Sequence, residues 1–256
     1  MIVAIANQKG GVGKTTTSIN LGAYLARLGR QVLVIDADPQ GNATTALGIN
    51  VRDIAGRTLY QVLTGELTAA ECTVRTSIEG LSLLPTTREL AGIEIELAER
   101  GDFETVLRDA LRNFAAPWDF VLIDCPPSLG VLTVNALVAA DGVLVPVQCE
   151  YLALEGVAHL LRTIEMVRQQ ANPSLSLAGL VLTMYDSRTN LSQQVEKEVR
   201  THFPLTFQTA IPRTIRLAEA PSYGQSILEY DPSSRGAEAY NALAEELLAR
   251  LEAVAA

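Results

Sequence analysis

Residues that cross-link chains, bind metals or act as imidazole catalysts are scarce in this 256-residue sequence. The three cysteines, Cys72, Cys125 and Cys149, are an odd number and form no C-x-x-C pair. This excludes a disulfide framework, a zinc ribbon and a local iron–sulfur ligand cluster, and it predicts a reducing compartment. Only two histidines occur, His159 and His202, and nothing around them indicates a histidine-led catalytic triad.

Basic residues are also in deficit. Twenty Lys and Arg residues face 29 Asp and Glu residues, which gives a net charge of −9. Proteins that coat nucleic acid through their overall charge are basic, so this balance excludes that class. Any contact with DNA is therefore expected from a local patch.

The sequence has no uninterrupted hydrophobic run long enough to span a bilayer. Its most apolar long window, residues 131–149, contains Asn135, Asp141 and Pro146. A spanning helix of about 20 residues would not combine them. The segment MIVAIANQKGG has neither the basic region nor the cleavage site of a secretory signal. We therefore predict a cytoplasmic protein with no membrane partner.

Short β-branched runs alternate with longer amphipathic segments along the whole chain. The short runs predict strands at residues 2–6, 31–35, 120–123, 143–147 and 177–183. Apolar residues at three- and four-residue spacing predict helices at residues 15–28, 103–114, 152–170, 191–202 and 234–251. This alternation predicts an α/β fold, a doubly wound, mainly parallel sheet with helices on both faces. Because no linker or internal repeat interrupts it, we expect a single domain over residues 1–256.

A glycine-rich loop joins the first predicted strand to the first predicted helix, in the segment NQKGGVGKTTT. Glycines let successive backbone N–H groups point to one place, and a helix N-terminus adds partial positive charge, so a phosphate cradle is predicted. Lys14 is expected to reach the β- and γ-phosphates and the Thr15 hydroxyl to bind Mg²⁺. The alternative is a glycine-rich turn, because Gln8 stands where the strict G-x-x-x-x-G-K-[ST] pattern has its first glycine. The residues expected to bind ATP or ADP here are Lys9, Gly10, Gly11, Val12, Gly13, Lys14, Thr15 and Thr16.

Carboxylates follow two of the predicted strands. Asp36 and Asp38 end the strand in VLVIDADPQGN, and Asp124 ends the apolar strand FVLI. In a doubly wound sheet the ligand crevice lies at the carboxyl ends of the strands, where these groups can act on Mg²⁺ or on an attacking water. The alternatives are an Asx-turn before Pro39 for either of the first two and a capped strand end for Asp124.

Six segments together resemble one family. ANQKGGVGKTTT, IDADPQGN, DCPPSLG, PVQCEYLALEG, MYDSRTNLSQQV and IPRTIRLAEAPSYG are similar to those of ParA/Soj partition ATPases, in the family's order, and cover nearly the whole chain. The loop resembles the deviant Walker A motif of the ParA/MinD superfamily. The resemblance implies a Mg²⁺-dependent ATPase whose ATP-bound homodimer binds double-stranded DNA without sequence preference, on the nucleoid. It also implies a ParB-type centromere-binding partner that stimulates hydrolysis and release.

The resemblance assigns roles to particular residues. Lys9 is implied to reach the nucleotide of the other subunit, and Asp38 to orient the hydrolytic water, while Asp36 is implied to be structural or to support the residues that contact the nucleotide and its metal. The implied catalytic residues are Lys9, Lys14 and Asp38. Asp124 matches a Walker B aspartate that holds Mg²⁺ through water. The implied metal site consists of Thr15, Asp38 and Asp124, and the implied contact to the adenine edge is Pro212.

Three arginines are implied to contact DNA phosphates. Arg188 and Arg216 match family positions, and Arg213 is a weaker candidate. Residues 184–224 carry five basic and four acidic side chains, a small local excess in an acidic chain. Dimerisation would double this patch and give salt-dependent binding without sequence preference. The alternative is that these arginines are solvated or ion-paired surface residues.

A hypothesis from another class stays open beside the DNA-binding motor. It is a nucleotide-gated interaction switch that positions another cargo or regulates replication initiation, with marginal DNA binding. A membrane-recruited relative of the MinD type is disfavoured, because it would end in a basic amphipathic helix. The terminal segment AEELLARLEAVAA has one arginine against three glutamates and predicts a packed helix instead.

Overall fold

An eight-stranded sheet, covered by helices on both faces, forms the centre of the computed structural model. The structure describes residues 1–54, 56–98, 101–112, 114, 118–150 and 153–255. The strands are β1 Ile2–Ile5, β2 Val32–Asp36, β3 Val74–Arg75, β4 Leu81–Leu84, β5 Phe120–Asp124, β6 Gly142–Gln148, β7 Ser176–Tyr185 and β8 Thr206–Pro212.

The helices fill the connections between the strands. They are α1 Lys14–Arg27, α2 Asn42–Ala46, α3 Leu59–Thr64, α4 Ala69–Cys72, α5 Ile93–Ala98, α6 Val106–Arg112, α7 Val131–Ala139, α8 Ala153–Gln170, α9 Asn190–His202, α10 Ile215–Glu219, α11 Ile227–Tyr230 and α12 Arg235–Ala255. Two 3₁₀ helices cover Arg88–Gly92 and Ala220–Tyr223. Among the residues described, no helix has both the length and the apolar character needed to cross a membrane.

The sheet order is β3-β4-β2-β5-β1-β6-β7-β8, and every neighbouring pair is parallel except β3 and β4. The predicted doubly wound, mainly parallel sheet is therefore confirmed. β1 lies between β5 and β6, and the register aligns Ile5 with Asp124 and Asp124 with Asp36. The loops that follow β1, β2 and β5 consequently start side by side at one edge of the sheet.

Two hydrophobic cores lie on opposite faces of this sheet. Side chains of a strand alternate between faces, and on β1 Ala4 points to one core while Val3 and Ile5 point to the other. The first core is covered by α3 to α9 and the second by α1, α2 and α10 to α12. Burial on both faces explains the near-continuous apolar runs in the central strands.

All five predicted strands are present, with ends that differ by at most two residues. The predicted helix at 103–114 is shorter, because residues 101–105 form turns and α6 covers Val106–Arg112. The predicted start of α8 at Leu152 lies outside the described residues. Strands β3, β4 and β8 and helix α7 were not predicted from the sequence, whereas β6 was predicted as the strand at residues 143–147.

Strand β8 was not predicted from the sequence, because side chains from helices distant in the sequence complete its backbone hydrogen bonds. Its register with β7 shifts twice between Leu180 and Tyr185. In the bulged stretch, the Glu246 carboxylate accepts the N–H groups of Gln208 at 2.8 Å and Thr209 at 3.0 Å. Arg200 donates to the carbonyls of Phe207 and Gln208. These partners come from α9 and α12, and no pattern in the sequence around β8 indicates them.

Two glycines allow the backbone after α2 to approach the backbone after the 3₁₀ helix Ala220–Tyr223. Gly48 and Gly224 both have positive φ, 73° and 65°. A Cβ added to Gly48 would lie 2.9 Å from the Gly224 carbonyl oxygen, and one added to Gly224 would lie 2.8 Å from the Gly48 Cα. Only glycine permits both this conformation and this approach of two backbones.

Replacement of Gly48 by alanine is expected to lower the free energy of unfolding more than the same change at Gly56. Both glycines have a similar φ, 73° and 71°, but nothing lies within 4 Å of a Cβ at Gly56. Gly56→Ala should cost about 1–2 kcal/mol for the left-handed backbone alone. Gly48→Ala should cost a further 1–3 kcal/mol or so for the clash. Urea unfolding of the two variants measures the difference, and equal losses would show that the Gly48–Gly224 approach does not constrain the fold.

Candidate active site

The loop between β1 and α1 has the backbone of an anion cradle. Gly11 and Gly13 adopt left-handed conformations, with φ of 74° and 88°. Gly13 is the N-cap of α1, and no side chain caps the first N–H groups of this 14-residue helix. Those donors and the helix dipole are therefore available to a phosphate.

Lys14 lies at the start of α1 beneath this loop. Its side chain is buried, and Nζ donates to the Lys9 carbonyl at 3.3 Å. Burial lowers the pKa of Lys14, and the nearby negative charges of Asp124 and Asp38 act in the opposite direction. The lysine is thus held close to two carboxylates at the floor of the loop.

Lys9, the second lysine of the loop, has a different environment. Its Nζ forms an ion pair with Glu150 at 2.5 Å, and 38% of its side chain is exposed. Gln148 donates to the other oxygen of Glu150. The Lys9 backbone N–H donates to the Asn7 side chain at 3.0 Å, and Asn7 in turn donates to the Pro146 carbonyl. Within this single chain, Lys9 therefore contacts the end of β6.

Asp124 is fully buried at the end of β5 and directly faces α1. Its Oδ1 accepts a hydrogen bond from Ser18 at 3.0 Å. Oδ2 has no hydrogen-bond partner of acceptable geometry among the described residues, although the Thr15 hydroxyl is near enough to influence the carboxyl. Burial raises the pKa of Asp124 to about 7, the charge of Asp36 adds to this, and Thr15, Ser18 and Lys14 oppose it.

Asp36 and Asp38 differ in how their oxygens are used. Asp36 Oδ2 accepts from both the backbone N–H and the hydroxyl of Thr44, each at 2.7 Å, and Oδ1 accepts from the Asp38 N–H at 3.4 Å. Burial raises the pKa of Asp36 to about 6. Asp38 Oδ1 accepts from the Gln40 N–H at 2.9 Å, which is an Asx-turn. Asp36 therefore anchors α2, while Asp38 starts the turn and lies near Lys14.

These residues fit a magnesium ion that is shared with a nucleotide. No group of three or more His, Cys, Asp or Glu side chains in the described part of the chain is arranged to hold a metal unaided. The open carboxylate oxygen of Asp124 and the adjacent Thr15 hydroxyl are the hard oxygen ligands that Mg²⁺ prefers. Phosphate oxygens and water would complete the shell.

A cavity of about 260 Å³ opens beside the loop. Gly13 and Thr16 line it from the loop and α1, Thr183 from the end of β7 and Pro212 from the end of β8. The lining is mostly apolar, and it adjoins the cradle through shared residues. Its size and position suit a flat base attached to bound phosphates.

Two of the three candidate DNA-contacting arginines line the same cleft. Arg188 and Arg213 line a cleft of about 710 Å³, and Arg216 is not among the described residues that line it. Arg188 forms a two-bond ion pair with Asp186, at 2.9 and 2.8 Å, and holds the pKa of that carboxyl well below its usual range.

Arg216 is also paired within the chain. It contacts Glu219 at 3.2 Å and Asp231 at 3.4 Å, and its guanidinium lies 5.9 Å from the centre of the Tyr230 ring. In this single chain, Arg188 and Arg216 are therefore ion-paired surface residues, which is the alternative to DNA contact that the sequence left open.

Several residues that organise the site were not predicted from the sequence. Ser18 lies one helical turn after Lys14, so the spacing alone predicts the same face of α1. Thr44 and Glu150 carry no such signal, because their partners Asp36 and Lys9 are brought to them only by the fold.

A buried lysine at the N-terminus of the helix after β1, facing an aspartate at the end of the adjacent parallel strand, defines the class of P-loop nucleoside triphosphatases. The family model described as an AAA domain matches residues 1–177. The chromosome partitioning protein ParA of Caulobacter vibrioides is 54% identical over 252 residues, which are 97% of this chain and 94% of that protein. The sporulation initiation inhibitor protein Soj of Bacillus subtilis is 51% identical, over 97% of this chain and 98% of that protein.

A solved structure is also similar over nearly the whole chain. It is cobyrinic acid a,c-diamide synthase from Mycobacterium smegmatis with a bound ATP analog and magnesium, with 43% identity and a TM-score of 0.86. The similarity covers 98% of this chain and 95% of that one. The chain belongs to the ParA/Soj family of partition ATPases, as its motifs predicted.

Replacement of Asp124 by asparagine is expected to raise the stability of the nucleotide-free protein at neutral pH. The pKa of Asp124 is higher in the folded chain than in the unfolded chain, where it has the ordinary aspartate value of 3.8. The folded state therefore binds more protons, and its stability falls as pH rises from about 4 to about 7. Asparagine keeps an oxygen for Ser18 and removes this loss.

The expected advantage of Asp124→Asn is small at pH 4 and on the order of 4 kcal/mol at pH 8, since the pKa is raised from 3.8 to about 7 and one pKa unit corresponds to about 1.4 kcal/mol. Urea unfolding of both proteins across this pH range, without nucleotide, measures it. A difference that does not change with pH would contradict the burial of an ionised Asp124.

Proposed function

We propose that this partition ATPase binds Mg²⁺-ATP at the loop before α1 and dimerises through that face. The dimer binds double-stranded DNA without sequence preference and is thereby associated with the nucleoid. It releases the DNA when a ParB-type partner stimulates hydrolysis. Residues 1–256 act as a single ATPase domain in this cycle. The observation that carries the proposal is the contrast between two lysines in one loop, since Lys14 is buried beside Asp124 while Lys9 is accessible from outside.

Hydrolysis requires neutralisation of charge on the transferred phosphoryl group more than covalent chemistry from the protein. Lys14 would bind the β- and γ-phosphates, and the N–H groups between Gly10 and Thr16 would surround them. Thr15 and Asp124 would hold Mg²⁺, which supplies further positive charge to the phosphates. Asp38 would orient the attacking water, and Pro212 would contact the edge of the adenine in the 260 Å³ cavity.

Lys9 would provide the remaining positive charge in the dimer. In the single chain its ammonium is neutralised by Glu150, and the pair is partly exposed. Exposed ion pairs of this kind contribute little net stability, so their exchange for another anion is inexpensive. We therefore expect Lys9 to leave Glu150 and reach the nucleotide of the other subunit, which makes turnover depend on dimerisation.

The two lysines should give different kinetic defects when each is replaced by alanine. Lys14→Ala should abolish binding of a fluorescent ATP analog, because it removes the buried cation beneath the phosphates. Lys9→Ala should retain binding within a few-fold and lose at least about 100-fold in turnover, as expected for a charge used in the transition state. Titration of the fluorescent ATP analog measures binding, steady-state phosphate release measures turnover, and together they separate the two outcomes. Equal loss of binding in both variants would place Lys9 in the ground-state binding site.

DNA binding is supported by the position of three arginines near the ends of β7 and β8. Arg188 has 87% of its side chain exposed and Arg216 has 56%. Their ion pairs are solvent-exposed, so phosphate oxygens can replace the carboxylates at low energetic cost. A dimer presents two copies of each arginine, which favours one extended duplex over free nucleotides.

The experiment compares Arg216→Glu with Arg168→Glu. Arg168 is a matched control, since its side chain is 50% exposed and forms an ion pair of 3.1 Å with Glu165 three residues away. Arg216 has the same spacing to Glu219, at 3.2 Å. Binding to a non-specific duplex is measured with ATP, with ADP and without nucleotide, over a salt series.

Arg216→Glu should remove ATP-dependent DNA binding, while Arg168→Glu should bind like the parent. Both variants should retain ATP binding. DNA binding by Arg216→Glu at the parent affinity would remove Arg216 from the DNA site.

A second candidate function is a nucleotide-gated switch that positions another cargo or regulates replication initiation. The observation in its favour is that Arg188 and Arg216 are both neutralised by carboxylates of the same chain. An ATP-bound dimer of the parent protein with no measurable affinity for DNA at low salt would favour this switch over the DNA-binding motor.

A further inference from the structure

The end of β7 contacts the phosphate-binding loop through one side chain, Thr183. Its hydroxyl donates a hydrogen bond of 2.7 Å to the backbone carbonyl of Val12. Thr183 has only 2% of its surface exposed and Val12 only 1%. The bond is therefore shielded from water, and it joins residues that lie 171 positions apart in the sequence.

The Val12 carbonyl and the Gly13 N–H belong to the same peptide unit. Because a trans peptide unit is planar, its C=O and N–H point in opposite directions. A bond that holds the carbonyl toward Thr183 therefore holds the Gly13 N–H away from Thr183. Gly13 itself imposes little constraint, since it has no side chain and adopts a left-handed φ of 88°.

Thr183 is well placed to impose this constraint. Its own carbonyl accepts the Cys149 N–H at 3.2 Å, and it is aligned with Gln148 on β6. Its methyl group would lie 3.7 Å from a Cβ built on Gly13, which is ordinary van der Waals contact. Met184, the next residue, has a φ of 52° and is the one non-glycine residue of the described chain with positive φ. The backbone of β7 is thus irregular just after Thr183, where its register with β8 shifts between Leu182 and Tyr185, and both Thr183 and Met184 line the 260 Å³ cavity.

We propose that Thr183 is a positioning residue for the phosphate-binding loop. Its hydroxyl orients the Val12–Gly13 peptide so that the Gly13 N–H faces the phosphates of the nucleotide. The role rests on the proposed function, because it requires ATP to bind at this loop. It assigns to the end of β7 a contribution to phosphate binding in addition to its place in the wall of the base cavity.

The test compares Thr183→Val, which keeps the shape and removes the donor, with Thr183→Ser, which keeps the donor. Thr206→Val is the matched control. Thr206 is 3% exposed, and its hydroxyl donates to the Phe203 carbonyl at 2.7 Å, at the end of β8 opposite to Pro212. Two probes are titrated with Mg²⁺ by calorimetry, a non-hydrolysable ATP analog and inorganic tripolyphosphate, which has no base.

Thr183→Val should weaken the binding of both probes by the same factor, about tenfold for one lost buried hydrogen bond. Thr183→Ser should restore both affinities, and Thr206→Val should leave both unchanged. A purely structural role would lower the melting temperature and leave both affinities of the folded protein at the parent values, which would overturn the proposal.

Loss of affinity for the ATP analog alone would also overturn it, because Thr183 would then act on the base. The parent protein distinguishes this failure from that of the proposed function. If the parent binds neither probe, nucleotide binding at the loop is wrong. If the parent binds both and Thr183→Val binds them equally well, only the role of Thr183 is wrong.

Discussion

Two carboxylates, Asp36 and Asp124, are fully buried at paired positions of neighbouring parallel strands, and the rest of the site is arranged around them. Burial of a charge without full compensation is unfavourable, and two adjacent like charges raise this cost. The fold compensates the charges of Asp36 and Asp124 to different extents. Asp36 accepts hydrogen bonds from Thr44 and so ties α2 to the sheet, whereas Oδ2 of Asp124, beside Lys14 and Thr15, has no hydrogen-bond partner of acceptable geometry within the described part of the chain. This oxygen of Asp124 thus lies where the phosphates and the metal are expected to bind.

The cations of the molecule follow a complementary pattern. Among the described residues, Lys14 is the one cation buried with the carboxylates, while Lys9, Arg188 and Arg216 form partly exposed ion pairs with residues of the same chain. Weak exposed pairs can exchange partners at little cost, in contrast to buried ones. Under the proposed function, this difference separates the preorganised part of the site from the parts that would depend on a second subunit or on DNA. It also explains how an acidic chain can present cationic contacts without a permanently basic surface.

The local sequence pattern was sufficient to predict the strands at the centre of the sheet and insufficient to predict those at its edges. β1, β2 and β5 are buried on both faces, so their apolar runs are strong signals, and their order with the helices predicts the parallel arrangement. β8 has an irregular register, and its backbone is completed by Glu246 and Arg200 from helices far away in the sequence. β3 contains only two residues and pairs in the antiparallel sense, which leaves no periodicity to detect. Motif spacing likewise predicted the loop and the three aspartates but not Glu150, Thr44 or Thr183.

The sequence by itself determined the class of fold and the family and predicted the chemical groups of the candidate site, because these depend on residue types at short, ordered spacings. A strand followed by a glycine-rich loop, Lys14 and a helix constrains the backbone locally, so the phosphate cradle follows without knowledge of the remaining chain. The tertiary structure decided which partner each charged group has. Asp36 is paired with Thr44, Lys9 with Glu150 and Arg216 with Glu219 and Asp231, and each pairing except that of Arg216 with Glu219 joins different segments. The energy of a charge depends on distance and burial in three dimensions, which no local pattern contains.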